Sequence, residues 1–270
     1  MPVSPAFRRG WLACATTGAV LLGACHRGGW DITRYKDNDA LYRSAVVEYQ
    51  RKKWDNALLA FEKLSLELPA RDTLLPRTLW YLAKVHEAQS DHLLAAQSYT
   101  RLTESFPDDS LSDDALYFAG QNYGRLWRKP ALDAEYGETA LNTYRTMLTM
   151  YPNSPLNPKA QQEVSRLNAW FADKTYENGM FYFRRKGYDS AIIYFKDVVK
   201  LYPEVQRVKD AELRLVQSYR AIKYKDDAAD ACAALQKSWA RDREVLQLCG
   251  SPAPVAVTPR DTTVVPKPVP

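Results

Sequence analysis

The stretch whose reading decides the fold is residues 57–69, ALLAFEKLSLELP. Its Ala57, Phe61, Leu64 and Pro69 stand 4, 3 and 5 residues apart. The same spacing returns at Ala95, Tyr99, Leu102 and Pro107, at Ala140, Tyr144, Met147 and Pro152, and at Ala191, Phe195, Val198 and Pro203. A small residue, an aromatic one turn on, an aliphatic a turn further and a terminating proline describe one amphipathic helix used four times. The residue before each proline is also apolar (Leu68, Phe106, Tyr151, Tyr202). A fixed internal period marks a repeat architecture, in which each unit buries its apolar face only against its neighbours.

Working outward, a second helix precedes each copy. Leu41, Ala45 and Val46, with Tyr42 and Tyr49, have helical spacing behind Asp37 or Asp39, either of which can cap a helix start. Asp55 is expected to cap the helix from Asn56 to Leu68, and the basic run Arg51, Lys52, Lys53 to complement the negative end of the helix before it. A small residue stands twelve before the motif alanine in three copies: Ala45 before Ala57, Ala83 before Ala95, Gly179 before Ala191. Only small side chains let two helices approach to about 8 Å. The pairs resemble the tetratricopeptide repeat, but are longer than its roughly 34 residues; the four prolines lie 38, 45 and 51 apart.

The excess length has definite places. In the third pair the small residue is Ala119, and Ala140 follows 21 later, with the nine extra residues in a loop at Arg128–Gly137. In the fourth, Asn157 as N-cap and Pro158 open a helix that no breaker interrupts until about Lys186, roughly 29 residues or 44 Å. Asp210, then Asp226 or Asp227, open the helices of a fifth pair, where Ala228, Cys232 and Leu235 hold the motif positions and Ala240 replaces the proline. The fold class is therefore all-α, a tetratricopeptide-like α-solenoid of about five helix pairs with a short C-terminal capping helix. The pairs fall near 37–69, 72–107, 111–152, 157–203 and 207–238, and the cap at 241–249. Arg241, Asp242, Arg243 and Glu244 give that cap the polar outer face a solenoid end requires.

Of the 4 cysteines, Cys14 lies in a segment that reads as an export signal, residues 1–24. Arg8 and Arg9 precede a short apolar run, Trp11 to Leu22, too short to span a bilayer permanently. The run ends in Leu22-Gly23-Ala24-Cys25, which resembles the bacterial lipobox, with Cys25 the residue that carries the lipid. Acyl chains contribute about 0.8 kcal/mol per buried CH₂, so several anchor a protein stably. His26 rather than an aspartate follows, which resembles an outer-membrane address. Residues 25–36 read as a lipid-anchored tether. Cys232 and Cys249 remain. Cys232 takes the slot of the motif aromatic, where the closing helix would lie, so the two are either a disulfide or two separate thiols. Residues 251–270, with six prolines, form a polyproline-like tail.

The composition excludes several function classes. Formal charge is +5 and falls near +3 without Arg8 and Arg9, too mild to imply nucleic acid. The three histidines, His26, His86 and His92, have no metal-site spacing, no Cys-x-x-Cys or glycine-rich phosphate loop occurs, and no catalytic constellation or cofactor site is expected. The cluster Asp108, Asp109, Asp113, Asp114 sits at a helix start, where acids cap and complement the dipole. What remains is surface. In the repeat phase Tyr42, Val46 and Tyr49, then Trp80, Lys84 and Glu87, then Leu116 and Tyr123 fall on the groove side of successive first helices. Aromatics concentrate at binding hot spots, and such a groove suits an extended or hairpin peptide with aromatic side chains. Tyr42, Tyr49, Trp80, Lys84 and Tyr123 are the candidate peptide-binding residues.

Over residues 22–240, the lipobox, the helix pairs, YRSAVVEYQRKKWDNALLAFEKL (42–64), YPNSP (151–155) and YDSAIIYFKDVVKLYP (188–203) resemble the BamD (ComL-type) family of outer-membrane assembly lipoproteins. The resemblance implies a non-catalytic scaffold, tethered to the periplasmic face of the outer membrane. It implies two kinds of partner: a POTRA-bearing β-barrel assembly protein with its companion lipoproteins, met through the C-terminal repeats, and unfolded outer-membrane protein precursors, met in the N-terminal groove. Arg207, Lys209, Asp210 and Arg214 are the candidate contacts for the first. The alternatives are a lipoprotein scaffold of a secretion or pilus complex, or of a cell-wall complex like the Tol-associated coordinator. The latter family starts with a coiled coil and lacks a lipobox. The Arg128–Gly137 insertion, the Cys232/Cys249 pair and the Pro-rich tail depart from the family pattern.

Overall fold

The computed structural model describes residues 30–250. Cys25, the export signal and the tail 251–270 lie outside the described residues. Eleven α-helices follow a single turn of 3₁₀ helix, Ile32–Arg34, among the described residues. They are α1 (Asn38–Gln50), α2 (Trp54–Glu67), α3 (Leu75–Ala88), α4 (His92–Ser105), α5 (Ser112–Leu126), α6 (Glu135–Met150), α7 (Asn157–Arg184), α8 (Tyr188–Leu201), α9 (Arg207–Ala221), α10 (Lys225–Ser238) and α11 (Arg243–Cys249). Each packs against the next, so the chain is an all-α stack of helix pairs. All twelve alanine, aromatic and aliphatic positions of the four motif copies are fully buried, on α2, α4, α6 and α8. The backbone N–H of the residue before each proline still donates to the motif aliphatic's carbonyl, as Leu68 does to Leu64 and Tyr202 to Val198. The helix thus closes its last turn where proline forbids another.

Four of the five pairs turn in the same way. Lys52, Ser90, Lys186 and Lys223 have φ of 58°, 67°, 63° and 65°. In each turn the following N–H bonds back to the carbonyl five residues earlier, as Lys53 does to Glu48 and Gly187 to Tyr182. This is a Schellman cap with an L-residue where glycine is favoured. The left-handed conformation costs an L-residue about 1–2 kcal/mol, partly offset by the lower entropy it loses. All four side chains are exposed. Lys52→Gly and Lys186→Gly should therefore each raise the unfolding free energy by about 0.5–1 kcal/mol, measured by urea denaturation; an unchanged midpoint would show that the turns are not strained.

The structure corrects several boundaries. Asp37 caps α1, its side chain accepting from Ala40 N. α2 starts at Trp54, so Asp55 lies in its first turn and accepts from Gln89 Nε2 of the next pair at 3.0 Å. Arg51 and Lys53 stand in the turn at the end of α1, and both also pair with the buried Glu48, at 3.4 and 3.7 Å. Half of the expected tether is folded: Trp30 Nε1 donates to Ser44 Oγ at 3.2 Å, and Tyr35 Oη lies 2.6 Å from the same hydroxyl.

The insertion loop is shorter than expected, because α6 begins at Glu135 and takes in Gly137. A Cβ at Gly137 would lie 2.2 Å from the Trp127 ring, so the glycine makes room for that indole. Leu156 is the cap position of α7, while Asn157 is its first residue and donates to the carbonyls of Tyr151 and Pro152. α7 runs 28 residues unbroken. Its first half buries Ala160, Val164, Leu167 and Phe171 in the cluster that also holds Tyr144 and Met147 of α6. Its second half pairs with α8, so one helix serves two neighbours.

The third pair's phase is also corrected. Ala119 faces the cluster shared with α2–α4, whereas a Cβ at Gly120 would lie 2.8 Å from Tyr144. Gly120, not Ala119, is the small residue at the close approach, as Gly179 is against Phe195 at 2.6 Å.

Candidate functional site

The first helices of the N-terminal pairs contribute to two successive clusters of aromatic rings. Tyr81 is the hub of the first, stacked on Phe61 at 5.4 Å and meeting Tyr42 and Tyr49 edge-on at 6.2 and 5.3 Å. Tyr49 also meets Trp54 at 5.4 Å. One pair later, Phe118 repeats the arrangement: it stacks on Tyr99 at 5.8 Å and meets Trp80 edge-on at 5.7 Å, and Trp80 meets Tyr99 at 5.3 Å. Tyr42, Tyr49 and Trp80 are half-buried. One part of each ring seals the joint between pairs and another is open to solvent. Burial raises the pKa of the Tyr42 and Tyr49 phenols, so both remain neutral donors at physiological pH.

Lys84 lies 4.0 Å over the Phe118 ring and 5.1 Å from the Trp80 ring, with Glu87 Oε2 at 3.3 Å. Glu87 is the centre of a polar network across three helices. It accepts from Tyr99 Oη at 2.9 Å and Asn122 Nδ2 at 2.8 Å, and Arg125 is 3.6 Å away. Asn122 Oδ1 in turn lies 2.9 Å from His92 Nδ1. Burial alone would raise the Glu87 pKa, but the Asn122 hydrogen bond, the Lys84 charge and the Tyr99 hydroxyl outweigh it and hold the carboxyl below its ordinary range. A fixed anion with a cation and an indole beside it is a surface that can take both a polar backbone and an aromatic side chain.

Tyr123 stands apart from this row. It is half-buried against the cluster around Tyr144 and Leu167. Because Gly120 sets the phase of α5, the residue equivalent to Tyr42 and Trp80 is Tyr117, which meets Phe118 at 5.4 Å and Tyr144 at 5.8 Å. Sequence spacing missed Tyr81, Tyr117 and Phe118. The available signal was that each lies within three residues of the small residue that marks its helix, but two adjacent small residues in α5 hid the register.

The four candidate contacts in the fifth pair are engaged within the chain. Arg207 bonds Asp173 and Asp210, each at 2.7 Å, and lies 4.9 Å over the Tyr176 ring. Lys209 pairs with Asp242, the cap residue of α11, and with Glu244 at 3.4 Å. Arg214 donates to Gln217 Oε1 at 2.6 Å and lies 5.5 Å from the Phe183 ring. They fasten α9 to α7 and to the closing helix. Cys232 and Cys249 are bridged, with their Cα atoms 5.5 Å apart, which ties α11 to α10. Among the described residues no group of histidine, cysteine and acidic side chains could hold a metal ion, and no helix is long and apolar enough to cross a membrane.

Stacked helix pairs with an aromatic and charged face define an α-solenoid of the tetratricopeptide type. The chain belongs to the YfiO family of outer membrane lipoproteins, whose family model matches residues 34–235. It is 22% identical to the outer membrane protein assembly factor BamD of Caulobacter vibrioides over 205 residues, 76% of this chain and 67% of that protein. It is 24% identical to the BamD of Xylella fastidiosa strain Temecula1 over 243 residues, 83% of this chain and 80% of that one. Among solved structures, the tetratricopeptide domain of P58(IPK) covers 78% of this chain, with 54% of that chain matched, at 14% identity and a TM-score of 0.42.

Proposed function

We propose that this protein is the lipid-anchored scaffold of an outer-membrane β-barrel assembly complex. In this reading Cys25 carries the lipid and the stack lies on the periplasmic face. The N-terminal pairs receive unfolded outer-membrane protein precursors, and the C-terminal pairs bind the POTRA region of the barrel-forming subunit. The family relationship supports the general role. The observation that carries the precursor site is the aromatic row from Tyr42 to Phe118, flanked by Lys84 and Glu87. A β-strand with alternating aromatic side chains can lay rings against Tyr49 and Trp80, while Lys84 and Glu87 meet its backbone. The proposed work is binding and positioning, with no bond made or broken.

The experiment is Trp80→Ala, with affinity for a peptide ending in an aromatic-bearing strand measured by fluorescence anisotropy. Loss of about tenfold, near 1.4 kcal/mol, is expected for an interfacial indole. Because Trp80 also meets Tyr99 and Phe118, far-UV circular dichroism is recorded on the same sample. Unchanged helicity with unchanged affinity removes the groove assignment. Affinity purification from crosslinked outer membranes tests the partner: a POTRA-bearing barrel protein supports the proposal, and a secretin ring overturns it. Arg207 and Lys209 are poor probes of that contact, since altering either first loosens α9 or the closing helix.

A further inference from the structure

A cleft lies away from the aromatic row, where the insertion loop faces α7. It has a volume of about 850 Å³. Lys129 and Pro130 form one wall, and Phe181, Tyr182, Arg184 and Tyr194 the other. The loop is held in place by Lys174 Nζ, which donates to Leu132 O at 2.7 Å. The aromatic wall is built rather than incidental. Tyr182 and Tyr194 stack at 5.5 Å with an interplanar angle of 11°, and Phe181 meets Tyr182 at 5.2 Å. Arg185 covers one face of Phe181 at 3.6 Å, yet Phe181, in the last turn of α7, remains 44% exposed. An open ring beside a stacked tyrosine pair presents aromatic faces to an incoming segment.

We propose that this cleft is the docking site of the chain's own proline-rich segment, Val264–Pro270 (VVPKPVP). Three observations point to that occupant. The first is chemical: aromatic-lined grooves take proline-rich segments, because proline rings stack on aromatic faces and a chain already restricted at φ loses little entropy on binding. The segment places three prolines at alternate positions, Pro266, Pro268 and Pro270. The second is charge. The cations of the cleft, Lys129, Lys174, Arg184 and Arg207, outnumber its acids, Asp173 and Glu177, so it suits a segment of little charge; the segment has one ionisable side chain, Lys267, and Glu177, with its side chain 63% exposed, is the acid open to it.

The third observation is reach. The described chain ends at Gly250, after α11 has brought Gln247 and Leu248 to a pocket that Tyr176 and Arg214 also line. Tyr176 precedes Glu177 on α7 and lies five residues, roughly 7.5 Å of helix rise, before Phe181. Thirteen residues lie between Gly250 and Val264, and the fourteen steps from one to the other can span roughly 43 Å when extended. Docking within one chain also acts at an effective concentration on the order of millimolar, so a weak contact suffices. The insertion and the tail, both outside the repeat pattern, then form one feature in which the loop makes the wall and the tail fills the cleft.

The test is Phe181→benzoylphenylalanine in the full chain, irradiated at low protein concentration and mapped by mass spectrometry. The expected product is an internal crosslink from position 181 to residues 251–270 in a species of monomer mass. Its yield should fall several-fold when Pro266→Ala and Pro268→Ala are added, with far-UV circular dichroism unchanged. A crosslink only between two chains assigns the cleft to a second copy and overturns the proposal. So does a crosslink only to other proteins, to other parts of this chain, or one indifferent to the proline changes. None of these outcomes bears on peptide binding at Trp80.

Discussion

Trp127→Ala is expected to lower the unfolding free energy of the central repeats by about 3–5 kcal/mol. Trp127 is 1% exposed and stands where α5 gives way to the insertion loop. Its indole lies 4.5 Å from Phe171 and 5.4 Å from Trp170 on α7, and the absent side chain of Gly137 on α6 makes the space it fills. Removing it opens a cavity among three helices whose backbones cannot all close in, which is the costly case of a large-to-small change. Repeat stacks transmit such damage mainly to neighbours. Hydrogen exchange should therefore accelerate in α6 and the first half of α7 and stay near wild type in α1–α4. A loss below about 1 kcal/mol, or faster exchange spread evenly over the chain, contradicts this account.

Gly137→Ala gives the converse. Alanine is favoured over glycine inside a helix by about 1 kcal/mol. Here the new Cβ meets the buried indole, so the net change should be destabilising, with overpacking costing about 1–3 kcal/mol.

Phe195→Ala should cost a similar 3–5 kcal/mol at the fourth pair. Phe195 is fully buried, meets Tyr176 at 5.5 Å and Phe183 at 6.2 Å, and fills the notch at Gly179. The notch makes a sharper test than the truncation. Gly179→Ala alone drives a Cβ into the Phe195 ring and should destabilise the pair by about 1–3 kcal/mol. Combined with Phe195→Leu, whose smaller side chain leaves room, the alanine should be tolerated. A double-mutant cycle by urea denaturation then returns a favourable interaction energy of about 0.5–3 kcal/mol. Additive losses would show that Gly179 and Phe195 do not set the helix approach.

These experiments bear on the assembly proposal only through the scaffold. A stack that keeps its N-terminal pairs while α6–α8 loosen should still bind peptide at Trp80. It should lose partners that need the C-terminal pairs, which separates the two proposed surfaces within one molecule.

The sequence by itself determined the repeat. The 4, 3 and 5 spacing placed every alanine, aromatic and aliphatic of four copies in the core, because a helix buried on one face can satisfy that spacing only by turning that face inward. It also located the irregular places, the long α7 and the lengthened third pair. It did not determine register where two small residues are adjacent, since Ala119 and Gly120 are alike in size and only contact with Tyr144 separates them. Nor did it show the exposure of the aromatic row. Tyr42, Tyr49 and Trp80 lie on first helices at the predicted phase, but Tyr81 and Phe118, each from the first helix of the next pair, take up part of each ring. The charged residues of α9 are the strongest case. A run of Arg, Lys and Asp reads in sequence as free surface, whereas Asp173 of α7 and Asp242 of the closing helix, distant along the chain, engage it. Local spacing fixes which face of a helix is apolar; which polar groups remain free depends on what the rest of the chain brings opposite them.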